Sequence, residues 1–261
     1  MPSPSTLLPL LLSLTLLSTA RTHPKRYEDA SLGGHFVDFA TYDPSQQTPE
    51  QFLNAYQYII SDYTVGEYTD TTIPHIFEKP NVDIVDGALT LRARGQPGYE
   101  VVSSSQIQSL DRFTFGTLET FAKATPTKGV CQGIFFYDDD NHEVDIELLS
   151  DYYETGYLDQ ISPGVQFTNQ PLIPFEPSTT EGLPFGFDPT ADFHNYTIKW
   201  TPTETEFFVD GIFKTSLSEN VPATPAFIIY NNWSNGNPGW SSGPPREDAT
   251  FSIKSIKFAP L

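Results

Sequence analysis

Glu143, Asp145 and Glu147 occupy every second position of the run Asn141-His142-Glu143-Val144-Asp145-Ile146-Glu147-Leu148-Leu149. In an extended strand side chains alternate, so the three acids share one face while Val144, Ile146 and Leu148 take the other. Three like charges in a row repel one another and raise at least one pKa. Acids that served only solubility would stand in loops. Residues four apart in a strand have Cα atoms about 13 Å apart. Two glutamates leaning together across that span bring their carboxyl groups to the ~5–5.5 Å at which one attacks a sugar carbon and the other moves the proton. A metal site and a solvated acidic edge are the alternatives that the bare pattern leaves open. The adjoining Asp138-Asp139-Asp140 keeps a structural calcium in view, although calcium prefers ligands on curved loops and the three acids stand among apolar strand formers. His142 falls on the face opposite Glu143, so no catalytic role is expected of it.

The elements that must hold this strand read as β-structure. Asn81 to Leu91 alternates around Asp86-Gly87, a hairpin signal. Phe113 to Ala122 alternates around Gly116. Gly129 to Tyr137 is almost continuously apolar, as in a strand buried on both faces. Tyr196 to Trp200 and Glu206 to Lys214 flank Thr201-Pro202, with a second Asp-Gly pair at Asp210-Gly211, and Phe227 to Trp233 and Phe251 to Phe258 complete the series. Thr48 to Ile60 predicts the one helix, with Thr48 as N-cap, Pro49 at the first helical position and Gln51 closing a capping box. The Pro-rich stretch from Gln170 to Pro189 carries large aromatics and reads as an ordered loop. The expected architecture is all-β, a sandwich of two antiparallel sheets in one domain over 27–261.

The composition narrows the partners. The 261 residues include 33 acidic and 14 basic side chains, a net charge of −19, which leaves no basic surplus for nucleic acid or anionic lipid. A single cysteine, Cys131, excludes an intrachain disulfide framework and a cysteine-rich metal site; alternating within an apolar strand, it is expected to be an inert buried thiol. Leu7 to Leu17 is an apolar run too short to span a bilayer, followed by Ser18-Thr19-Ala20. Residues 1–20 therefore read as a secretory signal, residues 21–26 as a short propeptide ending at Lys25-Arg26, and the product as a secreted, extracellular monomer. Of the sequons at Asn195 and Asn232, Asn195 is the better acceptor.

Several segments together resemble glycoside hydrolase family 16. Glu143-Val144-Asp145-Ile146-Glu147 is similar to the family's E-x-D-x-E active-site strand, and Phe115-Gly116-Thr117-Leu118-Glu119 to its Y-G-x-x-E strand start. Phe193-His194-Asn195-Tyr196 through Trp200-Thr201-Pro202 and Phe208-Val209-Asp210-Gly211 resembles its F-H-x-Y…W-T-P…Y-V-D-G hairpin, and Asn231-Asn232-Trp233 its late N-x-W segment. The resemblance implies a β-jelly roll related to the legume lectins, with Glu143 as nucleophile, Glu147 as general acid and then base, and Asp145 as the carboxylate between them. It implies a polysaccharide substrate and no cofactor. The uninterrupted spacing resembles that of licheninases, xyloglucan transglycosylases and fungal cell-wall crosslinking enzymes. Phe121, Asn141, Thr168 and Gln170 depart from the licheninase pattern, so linkage is not inherited. A β-1,3/1,4- or β-1,3-glucan hydrolase is the expectation, a glucan/chitin transglycosylase the alternative, and a lectin-like binder the third class. Sugar rings pack on aromatic faces and bond to amides and acids, which nominates Trp233, Trp240, Asn231, Glu119 and Tyr137 for substrate binding. Trp200 is expected in the core and His194 in a structural role.

Overall fold

Asp86-Gly87 and Asp210-Gly211 close two hairpins through paired left-handed residues, with φ of 52° and 71° in the first and 51° and 73° in the second. Such turns twist in the same sense as the strands they join, so these short sequences fix strand register. The computed structural model describes residues 33–261 apart from Tyr68, Asp70, Gln96, Pro97, Tyr99 and Asp159. The leader and dibasic pair expected within residues 1–26 lie outside the described residues.

Two large sheets form the body. One runs in the order β15 (Ile212–Leu217), β14 (Thr205–Val209), β13 (His194–Trp200), β8 (Gly116–Lys123), β17 (Ala249–Pro260), β6 (Ala88–Ala93) and β5 (Val82–Val85), with β1 (His35–Asp38) paired to β17. The other runs β12 (Thr179–Leu183), β11 (Val165–Asn169), β10 (His142–Leu149), β9 (Cys131–Asp139), β16 (Ala226–Trp233), β7 (Val102–Phe113), β4 (His75–Phe77) and β3 (Tyr63–Val65), with β2 (Tyr58–Ile60) on β7. Every named pairing is antiparallel except β4 with β7. The expected sandwich is thus present, and the acidic strand β10 lies inside a sheet rather than at its edge.

The core fills the space between the sheets. Val144, Ile146 and Leu148 of β10 are fully buried there, in one cluster with Tyr196, Ile198, Phe207 and Phe251 of the opposing sheet. Burying an aliphatic side chain of this size contributes about 1.5–3 kcal/mol, and that gain holds the strand with its acids facing outward. Trp200 is fully buried, as expected; its Nε1 donates to the Pro222 carbonyl at 2.9 Å. His194 is structural, with Nδ1 2.7 Å from Asp210 and the ring stacked on Phe187.

Three expectations change. The helix α1 covers only Pro49–Ala55, although its capping box forms: Thr48 Oγ1 accepts from the Gln51 backbone at 3.2 Å and Gln51 Oε1 from the Thr48 backbone at 2.9 Å. Gln57, at φ 60°, ends the turn, and Tyr58–Ile60 joins the sheet because Tyr58 and Ile60 can be buried there. The stretch 170–189 is no simple loop, since it contains β12 and buries Phe185.

The third correction concerns Trp233. It is the last residue of β16, not part of the Gly/Asn-rich loop, and only 7% of it is exposed. It packs with Cys131, Leu149, Phe77 and Tyr152 in a second cluster on the outer side of the β10 sheet, and its ring face is covered by His75 at a centroid distance of 5.0 Å. It therefore serves as a packing residue, and the open stacking platform expected of it is not there. Trp233→Ala is predicted to lose about 3–5 kcal/mol of folding stability, lowering Tm by roughly 10 °C. A melting curve within 2 °C of wild type would contradict the core assignment.

Candidate active site

Pairing with β9 places Glu143 opposite Tyr137, Asp145 opposite Phe135 and Glu147 opposite Gly133. On the other flank β11 sets Thr168 beside Asp145 and Gln166 beside Glu147. The register breaks once, between His142 and Glu143, so the strand is regular through all three acids. His142 lies at that break, with Nδ1 2.8 Å from Asp139. The acids line the floor of a cleft that crosses the strands. Gly133 keeps the floor low beside Glu147: a Cβ there would stand 2.6 Å from Asn231 Oδ1.

Each carboxyl has its own partners. Both the Trp240 indole and the Cys131 thiol donate to the same oxygen of Glu147, Oε1, at 2.9 and 3.1 Å. Asp145 Oδ2 accepts from Gln170 Nε2 at 3.0 Å. Glu143 and Asp145 are near enough that the charge of Asp145 bears on the titration of Glu143. Burial raises the pKa of all three. For Glu143 the charge of Asp145 adds to burial, and for Asp145 the charge of Glu147 does; for Glu147 the Trp240 and Cys131 donors offset part of the rise. The Cys131 thiol is itself pushed up by burial and by the Glu147 charge, so it is present as S–H and able to donate.

Trp240 reaches Glu147 because its loop is tightly bonded. The Trp240 backbone donates to the Asn237 carbonyl at 3.0 Å, and Asn235 Oδ1 accepts from Ser241 Oγ at 2.9 Å and from the Asn237 backbone at 3.0 Å. Asn231 lies on the cleft floor, where Oδ1 accepts from the Gly133 backbone at 3.1 Å. Tyr137 lines the Glu143 end, its hydroxyl donating to Asp140 at 2.8 Å.

The structure separates the nominated residues. Glu143, Asp145, Glu147, Asn231, Tyr137, Trp240 and the edge of Trp233 meet at the cleft. Glu119 does not: it belongs to β8 in the opposing sheet, faces away from the cleft, and pairs with Lys257 at 2.6 Å. Phe121, two residues on, packs against Phe193 on that same face, so its departure from the licheninase pattern has no bearing on the cleft. Sequence reasoning missed the contact of Cys131 with Glu147, although Cys131, Gly133 and Phe135 are spaced to share a face of β9. It also missed His75, Tyr63 and Gln106, which line the cleft as well; short or polar strands gave them no periodic signal. Asn232 is fully buried, its amide donating to the Leu91 and Ala249 carbonyls at 2.9 Å each, which rules out glycan attachment in the folded chain. Among the aspartates before the strand, Asp138 pairs with Arg112 and Asp139 with His142.

Comparison with known proteins agrees with this geometry. The family model described as glycosyl hydrolases family 16 matches residues 69–250. A Crh-like protein of Arthroderma benhamiae is 27% identical over 176 residues, covering 61% of this chain and 45% of that protein. A beta-glucanase of Paenibacillus polymyxa is 26% identical over 153 residues, covering 57% of this chain and 59% of the relative. The chain thus spans about half the length of the curated relatives it matches. The solved beta-glucanase of Bacillus licheniformis superposes with a TM-score of 0.69 at 19% identity, over 88% of this chain and 99% of that one, a likeness of fold. With the family model matching more than half of its length, the chain belongs to the glycosyl hydrolases family 16.

Proposed function

We propose that the protein is a secreted, endo-acting β-glucan hydrolase that cleaves by double displacement with retention of configuration. The observation that carries this reading is the row of three acids on β10, of which Glu147 is held, among the described residues, through Oε1. Glu147 Oε2 is then the oxygen that carries the proton into the cleft. In the first step a Glu143 carboxylate oxygen attacks the anomeric carbon, the glycosidic C–O bond breaks, and the leaving oxygen takes the proton from Glu147. Asp145, whose pKa is raised by burial and by the charge of Glu147, stands between the two glutamates and favours an ionised Glu143 when it holds a proton itself. In the second step Glu147 takes a proton from water, the water oxygen attacks the anomeric carbon, and Glu143 is released. Trp240 and Asn231 line the path of the chain, and the leader read at Leu7 to Leu17 fits an enzyme that meets its polysaccharide outside the cell.

A β-1,3/1,4- or β-1,3-glucan is the substrate proposed, supported by the beta-glucanase name of the Paenibacillus relative. The match to a protein named Crh-like favours a second reading, in which a sugar hydroxyl replaces water as acceptor at the same acids. New reducing ends without redistribution of oligosaccharide lengths mark the hydrolase; redistribution without new ends marks the transferase.

Glu143→Ala is predicted to lose turnover on mixed-linkage glucan by at least 10³-fold, a loss of more than about 4 kcal/mol of transition-state stabilisation, and to regain activity in azide. The adduct, read by proton NMR, should have the configuration opposite to that of the substrate linkage. Retained turnover in Glu143→Ala, or an adduct of unchanged configuration, removes Glu143 from the nucleophile position.

The raised pKa values also predict a pH dependence of stability. A carboxyl whose folded pKa lies above its unfolded one binds its proton more tightly in the folded state, so stability falls as pH rises from the unfolded value toward the folded one. Glu143→Gln should therefore melt above wild type at pH 7 by a few degrees, each kcal/mol of relieved cost being worth about 2–4 °C, and the gap should close near pH 4. Activity should follow a bell whose acid limb lies above the ordinary glutamate value of 4.5. A Glu143→Gln variant that is less stable than wild type at pH 7 would contradict the buried-charge account.

A further inference from the structure

His75 lines the cleft from β4 and is only 3% exposed. Its Nδ1 is buried and finds no hydrogen-bond partner among the described residues. Buried polar nitrogens are almost always bonded, and one left open costs stability. The ring is nevertheless held firmly, stacked on Trp233 at 5.0 Å with 24° between the planes and edge-on to Phe77 at 5.1 Å. Phe77 in turn meets Tyr63 at 5.2 Å, and the Tyr63 hydroxyl accepts from Gln106 Nε2 at 3.1 Å. An imidazole fixed on both sides in the wall of a cleft, with a buried nitrogen that no described residue bonds, is arranged to meet a ligand that settles against it.

We propose that His75 is a substrate-binding residue of a distal subsite, where its ring bonds a hydroxyl of a glucosyl unit beyond those that flank the cleaved bond. The inference rests on the glucan-cleaving function proposed above. A sugar hydroxyl both donates and accepts, so it can satisfy the open nitrogen in either neutral tautomer. Burial lowers the pKa of His75 to about 3, which keeps the ring neutral at any pH at which the carboxylates work. The strand order sets the separation along the sheet. β7, β16 and β9 lie between β4 and β10, so the backbone that carries His75 is four inter-strand steps from the backbone that carries the acids. Trp233 thus contributes to recognition indirectly, by carrying His75 on its face.

The test replaces the ring by one of the same shape without nitrogens. His75→Phe should weaken a mixed-linkage hexasaccharide about three- to tenfold, the worth of one neutral hydrogen bond, measured by calorimetry in a Glu143→Gln background. In the otherwise wild-type enzyme KM for the hexasaccharide should rise by the same factor, with kcat within twofold. An aryl disaccharide, too short to reach β4, should be cleaved as before, and the melting temperature should hold or rise. Titrating the hexasaccharide into Glu143→Gln with ¹⁵N-labelled histidine gives a second readout, independent of whether His75→Phe folds: the His75 ring signals should move. Unchanged hexasaccharide affinity together with unmoved ring signals, in an enzyme that cleaves glucan, overturns the role of His75 and leaves the function standing. A wild-type enzyme that cleaves no glucan yet binds the hexasaccharide through His75 overturns the hydrolase and keeps the subsite.

Discussion

Desolvation of three carboxyl groups on one strand is the constraint around which the rest of the molecule is arranged. Each acid on β10 would be more stable in water, and among the described residues none of the side chains lining the cleft is a lysine or arginine that could neutralise it. The strand keeps its place because its other face is anchored: Val144, Ile146 and Leu148 are fully buried against the opposing sheet. A one-residue slip would turn the acids into that core and the aliphatics into the cleft. Register is held by the full set of pairings to β9 and by five residue pairs to β11. The sandwich thus offsets the cost of the site through the same strand that bears it.

Neutral donors complete the arrangement. The site supplies an amide on Asp145, and an indole and a thiol on Glu147. Cationic partners would hold the carboxyls ionised and remove the proton that the chemistry needs. Neutral donors fix orientation while allowing protonation, and placing two of them on Oε1 leaves the other oxygen of Glu147 to face the cleft. The buried thiol fits this logic, because its own raised pKa keeps it a donor.

How much of this was legible in the sequence follows from where each signal lives. The row Glu143, Asp145, Glu147 and its aliphatic counterpart are a period-two pattern, and a strand converts such a pattern directly into faces. The Asp-Gly turns at 86–87 and 210–211 were equally readable, because left-handed φ is a local demand. Strand β7 was not, since Ser104, Ser105, Gln106 and Ser109 are polar yet buried in it, and only tertiary partners explain their burial. Glu119 was misassigned for a related reason. Its local motif is a strand start, and nothing within five residues reveals that β8 pairs with β13 and β17 rather than with the cleft sheet. Trp233 was nominated as a sugar platform because nothing along the chain reveals that His75, from β4, covers its ring.

Cys131 shows why contacts across strands escape a one-dimensional reading. In sequence it is a small residue in an apolar run, and its burial was foreseeable. Its chemical role depends on β9 running antiparallel to β10 in one register, which pairs Cys131 with Leu149 and sets it diagonally from Glu147. Diagonal neighbours on one face lie about 7–8 Å apart at Cα, still within reach of side chains, and here the sulfur closes to 3.1 Å from Glu147 Oε1. The adjoining Gly133, directly opposite Glu147, has no side chain to intervene. The row of acids is therefore written along β10, while the positioning of Glu147 is written across two further elements: β9, through the Cys131 thiol and the bare Gly133, and the loop that carries Trp240.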